Sequence, residues 1–216
     1  MQHSLLYILT VEDNLSREEG LKIAQSLPSI LQESVSQYKT EGDFQRSLLS
    51  KLMLKKALGD FGREEDLNRI QKNEFGKFFI EGNIDFSISH SGDKVLLALA
   101  ENHKIGVDVE LKTKGSLALA ERFFCEEEVE WLKAQSDLQE AFVFIWTRKE
   151  ALVKAAGTGI RMPLKSFSVL NESLDFMGQM YFLQTRVQRN ASEVLSVSTS
   201  EKSAVQVVQI PYLSII

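Results

Sequence analysis

Lys104-Ile-Gly-Val-Asp-Val-Glu110 alternates aliphatic side chains with a glycine and two acids. In a strand, Ile105, Val107 and Val109 enter a core, while Gly106, Asp108 and Glu110 share the opposite face. Like charges that close oppose each other's ionisation unless a cation lies between them. Hard oxygen ligands of this kind suit magnesium, which keeps waters and substrate phosphate in its shell. A half-exposed strand with a solvated polar face accounts for the same letters, so the flanking chain has to decide between the two readings.

Immediately upstream, Ile84, Phe86 and Ile88 alternate with Asp85, Ser87 and Ser89, a half-buried strand that delivers His90 to its end. Val95 to Ala100 reads as a buried strand, and Glu101-Asn102-His103 as a turn in which His103 is exposed and idle. Strand, loop, strand, turn, strand is expected to bring His90, Asp108 and Glu110 onto one sheet. Asn73 and Gly76 mark a turn with Lys77 near its tip, either solvated or within reach of a phosphate.

Asp43 to Gly59 reads as a helix with Asp43 as N-cap, an apolar stripe through Phe44, Leu48, Leu49, Leu52 and Met53, and Gly59 as its stop. Arg46 then falls in the first turn, where the macrodipole disfavours a cation. Either a bound anion or pairing with Asp43 relieves that conflict. Further upstream, Leu5 to Val11 is strand-like, Ser16 and Glu19 form a capping box before a helix that ends ahead of Pro28, and Ile30 to Lys39 reads as helix.

Downstream, the polar link Lys112 to Gly115 suggests two halves, 1–111 and 112–216. Ser116 to Phe124 has helical spacing, and Glu126-Glu127-Glu128 open a further helix whose dipole they complement without need of a ligand. A long helix runs from Leu138 to Ala156 and is closed by Gly157. Phe142, Ile145, Trp146, Leu152 and Val153 make its stripe, while Glu150 and Lys154 stand one turn apart on the neighbouring face, an ordinary surface pair on spacing alone. Thr147-Arg148-Lys149-Glu150 is an unusually polar turn for so apolar a helix. Strand-like runs follow at Phe167 to Leu170, Met180 to Val187, Val194 to Val197 and Ala204 to Ile210.

The chain has 216 residues, 44% of them hydrophobic, enough for a substantial core in two closely packed halves. A net charge of -5 argues against nucleic acid as principal partner. Cys125 has no partner for an internal disulfide and no spacing that suggests zinc, and is expected to be an inert packed thiol. The short apolar run Leu5 to Leu9 carries no basic leader and no stretch is long enough to span a bilayer, so a soluble cytoplasmic protein is expected.

Four stretches, Phe86 to Gly92, Ile105 to Glu110, Arg122 to Phe124 and Trp146 to Ile160, resemble the signature blocks of Sfp-type 4′-phosphopantetheinyl transferases, in the family's order and at similar separations. With Arg46, Gly76-Lys77 and Pro163 to Ser168, the resemblance covers roughly residues 40 to 170. It implies an α+β fold of two pseudo-symmetric lobes, each a small antiparallel sheet packed with a long helix, with a coenzyme A cleft between them. It further implies transfer of 4′-phosphopantetheine from coenzyme A to a serine of an apo acyl or peptidyl carrier protein, with release of 3′,5′-ADP. Asp108, Glu110 and Glu150 match the family's Mg2+ ligands, and Lys154 its lysine near the pyrophosphate. Arg46, Lys77, Ser89 and His90 match positions that hold the nucleotide and its phosphates. The expected catalytic set is Glu150 as base, directly or through a metal-bound water, with Lys154 and Asp108. The resemblance also implies a monomer, and on the charge and the lack of a spanning stretch neither nucleic acid nor membrane is expected as a partner. Two departures stand out: Phe78 follows Gly76-Lys77 where the family often has proline, and Ile30 to Ser36 lacks the cations of some members, leaving Lys39 as the candidate near the adenine. A binding module without turnover and a Mg2+-dependent phosphohydrolase are the rival readings of the same residues.

Overall fold

The computed structural model describes residues 4–12, 15–159, 162–187 and 192–215; Ile160, the end of the last signature block, lies outside them. Strand β1 (Ser4–Thr10) leads into three helices, α1 (Arg17–Ala24), α2 (Ser29–Ser36) and α3 (Glu41–Asp60). Helix α1 starts at the expected capping box, Ser16 and Glu19 each satisfying the other's backbone N–H. Helix α3 starts earlier than Asp43, because the Thr40 hydroxyl accepts from the Asp43 N–H at 3.2 Å and so becomes the N-cap. Arg46 therefore sits beyond the first turn, and the expected conflict with the helix dipole does not arise. The helix also runs through Gly59. Its terminus is followed by Gly62, whose φ of +66° takes the left-handed turn that a helix end favours.

A small hairpin, β2 (Gln71–Lys72) and β3 (Phe78–Phe79), precedes β4 (Ile84–Ser91), β5 (Lys94–Glu101) and β6 (Ile105–Leu111). Three more helices follow, α4 (Leu117–Phe123), α5 (Glu126–Lys133) and α6 (Leu138–Ala156), then β7 (Ser173–Phe176), β8 (Gln179–Val187), β9 (Glu193–Thr199) and β10 (Val205–Ile210). One sheet has the order β10-β1-β5-β4 and a second the order β6-β9-β8-β7. All pairings in them are antiparallel except β10, which lies parallel to β1 with Ser4 opposite Val205.

Two expectations need correction here. Strand β6 does not extend the sheet of β4 and β5. After the Asn102 turn (φ +64°) it leaves that plane, and Ile105, Val107 and Val109 pack across the sheet's face against Leu6, Leu96, Ala98 and Ala100. An aliphatic stripe is buried as well by layering as by edge pairing, and the alternation alone does not distinguish them. Residues 167–170 form no strand, because their backbone is held by side chains. Val169 N–H donates to Glu128 Oε1 (2.9 Å), and its carbonyl accepts from Arg148 Nε (2.6 Å).

The result is four layers, α3, sheet, sheet, α6. Leu48, Leu49 and Leu52 of α3 share a core with Phe86, Val95, Leu97 and Leu99, while Ile145 and Leu152 of α6 share one with Leu183 and Val194. The halves repeat one connectivity: β1, three helices and a hairpin order as β1-β5-β4, and β6, three helices and a hairpin order as β6-β9-β8. Both sheets carry a long helix, so the α+β architecture is as expected. Strand pairing crosses residue 111 twice, since β6 belongs to the second sheet and β10 to the first.

Helix α6 sits directly on Gly106. A Cβ built there would stand 2.0 Å from the Ala151 carbonyl oxygen and 2.5 Å from Ala155 N, both backbone atoms that cannot rotate away. Gly106→Ala is expected to destabilise the protein by about 2 kcal/mol or more in urea unfolding, through overpacking. An unchanged midpoint would mean that the helix is not seated on the strand as described.

Candidate active site

The face of β6 that carries Gly106 also carries Asp108 and Glu110, so the strand that the helix rests on presents its acids to that helix. Lys154 of α6 meets Asp108 there. Its ammonium donates to Asp108 Oδ1 (2.6 Å), Ser89 Oγ (3.2 Å) and the Val107 carbonyl (3.2 Å). It thus pairs across the helix–strand contact and not with Glu150 one turn back, as spacing alone suggested. Asp108 is 4% exposed, and its Oδ2 is buried without a hydrogen-bond partner.

Burial, followed by the charge of Glu110, raises the Asp108 carboxyl above its ordinary range, against the opposing pull of Lys154 and Ser89. Glu150 is raised by burial, then by Asp108 and Glu110, with Lys154 opposing. Three acids from a strand and a helix thus act on one another. Donor chemistry and the orphaned Asp108 oxygen suit a divalent cation, which would relieve that repulsion. Among the described residues no three of these side chains are already drawn together around a metal position. Asp108 is engaged by Lys154 instead, and Glu110 Oε2 accepts from Ser91 Oγ at 2.9 Å.

The alternating polar residues of β4 are not a solvated face. Asp85 Oδ2 accepts from Ile105 N–H (2.9 Å), Ser87 Oγ from Val107 N–H (3.1 Å), and Ser89 and Ser91 donate to Asp108 and Glu110. They form a ladder of side chains along the unpaired edge of β6. His90, of opposite parity, looks toward α3. Burial, then Arg46, Lys51 and Lys154, hold its imidazole below the ordinary histidine range. Arg46 pairs with Asp43 (2.7 Å) and reaches the Gly92 carbonyl (3.2 Å), the more conservative of its two sequence readings. Lys77 is tied to Asp85 (3.3 Å) and the Lys154 carbonyl (2.9 Å), bracing the hairpin against the end of α6.

A cavity of about 290 Å³ follows the outer edge of β4. Phe75 to Phe78 of the hairpin, Lys51 of α3, Glu150, Val153 and Lys154 of α6, and Gly157 just past its end line it, so it joins both halves. Lys51 was not legible as a site residue: at position 51 it falls inside the apolar run of α3 and reads as one more helix lysine. The polar turn on α6 also divides once placed. Thr147 bonds Ser196 of β9 (2.8 Å), Arg148 holds residues 169 and 171, and Lys149 forms a fully buried pair with Glu128 (2.8 Å). Glu128 is therefore an internal counter-ion and more than a dipole partner at the start of α5. His103, expected to be idle on the surface, is 6% exposed, with Nδ1 donating to the Glu101 carbonyl (2.8 Å) and Ser4 Oγ 2.7 Å from Nε2.

A family model described as the 4′-phosphopantetheinyl transferase superfamily matches residues 104–206. The chain is 38% identical over 165 residues to the 4′-phosphopantetheinyl transferase gsp of Aneurinibacillus migulanus, covering 75% of this chain and 69% of that protein. It is 31% identical over 172 residues to the transferase ffp of Bacillus subtilis, covering 76% and 75%. To the transferase Sfp of B. subtilis strain 168 it is 30% identical over 169 residues, again covering 76% and 75%.

Two lysines five residues apart on α6 are expected to behave differently. Lys149→Met leaves Glu128 buried and unpaired and should lower stability by about 3–5 kcal/mol in urea unfolding. Lys154→Met, at a part-exposed site with a carboxyl already biased toward its neutral form, should cost markedly less. Equal losses would contradict this division of roles.

Proposed function

We infer, because the chain belongs to the 4′-phosphopantetheinyl transferase superfamily and is an enzyme of that class, that it moves 4′-phosphopantetheine from coenzyme A to a serine of an apo acyl or peptidyl carrier protein, releasing 3′,5′-ADP. The observation that carries this reading is the contact of Lys154 with Asp108, with Glu150 in their field, where Glu150 and Lys154 line a cavity bordered by further lysines. A pyrophosphate needs its charge neutralised and its attacker held in line, and that is work for fixed cations and acids.

In this reading Asp108, Glu110 and Glu150 would hold Mg2+, which would supply positive charge beside the pyrophosphate. Glu150 takes the proton of the carrier serine as its oxygen bonds to the β-phosphorus. The bond from that phosphorus to the bridging oxygen breaks, and Lys154 neutralises the charge left on 3′,5′-ADP. Lys154 leaves Asp108 for the phosphate when coenzyme A arrives, which frees that carboxylate for the ion. Arg46, His90, Ser89 and Lys77 contact the nucleotide end, with Arg46 and His90 nearest its 3′-phosphate. The enzyme acts as a monomer, and neither nucleic acid nor membrane is a partner. Among the described residues no helix is long and apolar enough to cross a membrane.

Incubation with coenzyme A, Mg2+ and an apo carrier protein, followed by weighing the carrier, should show a phosphopantetheine-sized gain that EDTA abolishes. Release of 3′,5′-ADP without carrier would indicate hydrolysis, and binding without either product would indicate an inactive module. Glu150→Gln should lower turnover by about 100-fold or more, and Asp108→Ala should abolish Mg2+-dependent turnover. Full activity in Glu150→Gln would exclude that residue as base.

A further inference from the structure

Lys51 is a buried cation that the foregoing mechanism does not use and that, unlike Lys149 with Glu128 or Arg148 with the carbonyls of residues 169 and 171, has neither an acid nor a carbonyl partner among the described residues. It is 8% exposed, and its ammonium finds only hydroxyls of its own helix, Ser47 Oγ and Ser50 Oγ, each at 3.2 Å. An ammonium carries three donors, so one N–H remains, and among the described residues no carboxylate pairs with it. Beyond those hydroxyls, the groups set against it are an aromatic ring and other cations. The Phe78 ring centroid lies 5.7 Å away, Lys72 stands over the same ring at 5.5 Å, and Lys51 helps to depress His90. Burial, then Lys72, pushes the ammonium down to about 8. Glu150, Lys77 and Lys154 face the cavity that Lys51 lines, but Lys77 and Lys154 already have acid partners.

A buried charge without a counter-ion is costly, and such an arrangement persists where a ligand supplies the missing charge. The cavity supplies access, and the hydroxyl of Thr158, between two glycines that line it, is buried without a hydrogen-bond partner. We propose that Lys51 is an additional substrate-binding residue, its free N–H donating to a phosphate oxygen of coenzyme A from the α3 wall of the cavity. The proposal rests on the transferase reading above and adds to it a contact outside the matched signature blocks. Bound phosphate would restore full protonation of Lys51 and cancel its repulsion of His90.

The test is calorimetric titration of coenzyme A and dephospho-coenzyme A into the parent, Lys51→Met, and Lys55→Met, an exposed lysine on the same helix. Lys51→Met should bind coenzyme A about 10- to 100-fold more weakly, as loss of one charge-assisted hydrogen bond requires. Its ligand-free melting point should be no lower than the parent's, because an unpaired buried charge has been removed, and Lys55→Met should match the parent within about twofold, as an exposed charge contributes little. In the carrier assay the loss should appear in KM for coenzyme A more than in kcat, which a structural role would not produce. A deficit that persists with dephospho-coenzyme A assigns Lys51 to the pyrophosphate, and one that vanishes assigns it to the 3′-phosphate; both support the contact. Equal affinity of parent and Lys51→Met overturns it while leaving the transferase reading intact. A parent that binds no coenzyme A overturns both. If Lys51→Met melts lower than the parent, Lys51→Gln serves in its place, and unweakened binding there counts against the proposal equally.

Discussion

The site depends on how the free edge of β6 is satisfied. An edge strand buried against another layer cannot leave its N–H groups unmade, and here Asp85 and Ser87 of β4 accept them where a neighbouring backbone would otherwise do so. Side chains reach further than backbone, so the two strands stay apart and the ladder runs on to Ser89 and Ser91. Those two hold the acids and not the backbone. One row of alternating residues thus joins the halves and fixes the carboxylates. Gly106 completes the arrangement, since only a residue without Cβ lets α6 come near enough for Lys154 to reach Asp108.

That geometry separates what the sequence could tell from what it could not. Periodicity found most strands and the long helices, because each buries one face of a regular pattern: the span Leu138 to Ala156 with Gly157 beyond it is the helix as it stands, with Gly157 at φ +72°. It failed where the partner is remote. Residues 167–170 look like a strand but spend their backbone bonds on Arg148 and Glu128, which no local pattern records. Strand β7, four residues long at a sheet edge, left too short a pattern to read. Asp85, Ser87 and Ser89 gave the right strand and the wrong environment, since alternation reports two faces but not what lies against the polar one.

The site residues divide along the same line. Asp108, Glu150 and Lys154 were named from linked motifs, and the structure brings Asp108 and Lys154 into direct contact with Glu150 in their field. Ser89 proved a partner of Asp108, while Arg46 and Lys77 are each engaged with protein groups that a ligand would have to displace or share. Lys149 stood out only as part of a polar turn, and Lys51 not at all. A lysine's letter is the same whether it is solvated, as most are, or enclosed, and only the packing around Glu128 and around Phe78 tells the two apart.

The repeat between the halves explains why the acids gather on one side only. Strands β1 and β6 are equivalent, each pairing with the last strand of its own hairpin. The outer edge of β1 is closed by β10, returning from the far end of the chain in parallel register, so its backbone is satisfied by backbone. Among the described residues the equivalent edge of β6 has no such strand, and the polar side chains of β4 take that place. A closed edge admits no ligand. An edge satisfied by hydroxyls and carboxylates keeps polar groups beside a cavity, where they can exchange a protein partner for a substrate one. The asymmetry that C-terminal strand β10 introduces therefore decides which of two similar halves becomes the scaffold of a sheet and which presents Asp108 and Glu110 to chemistry.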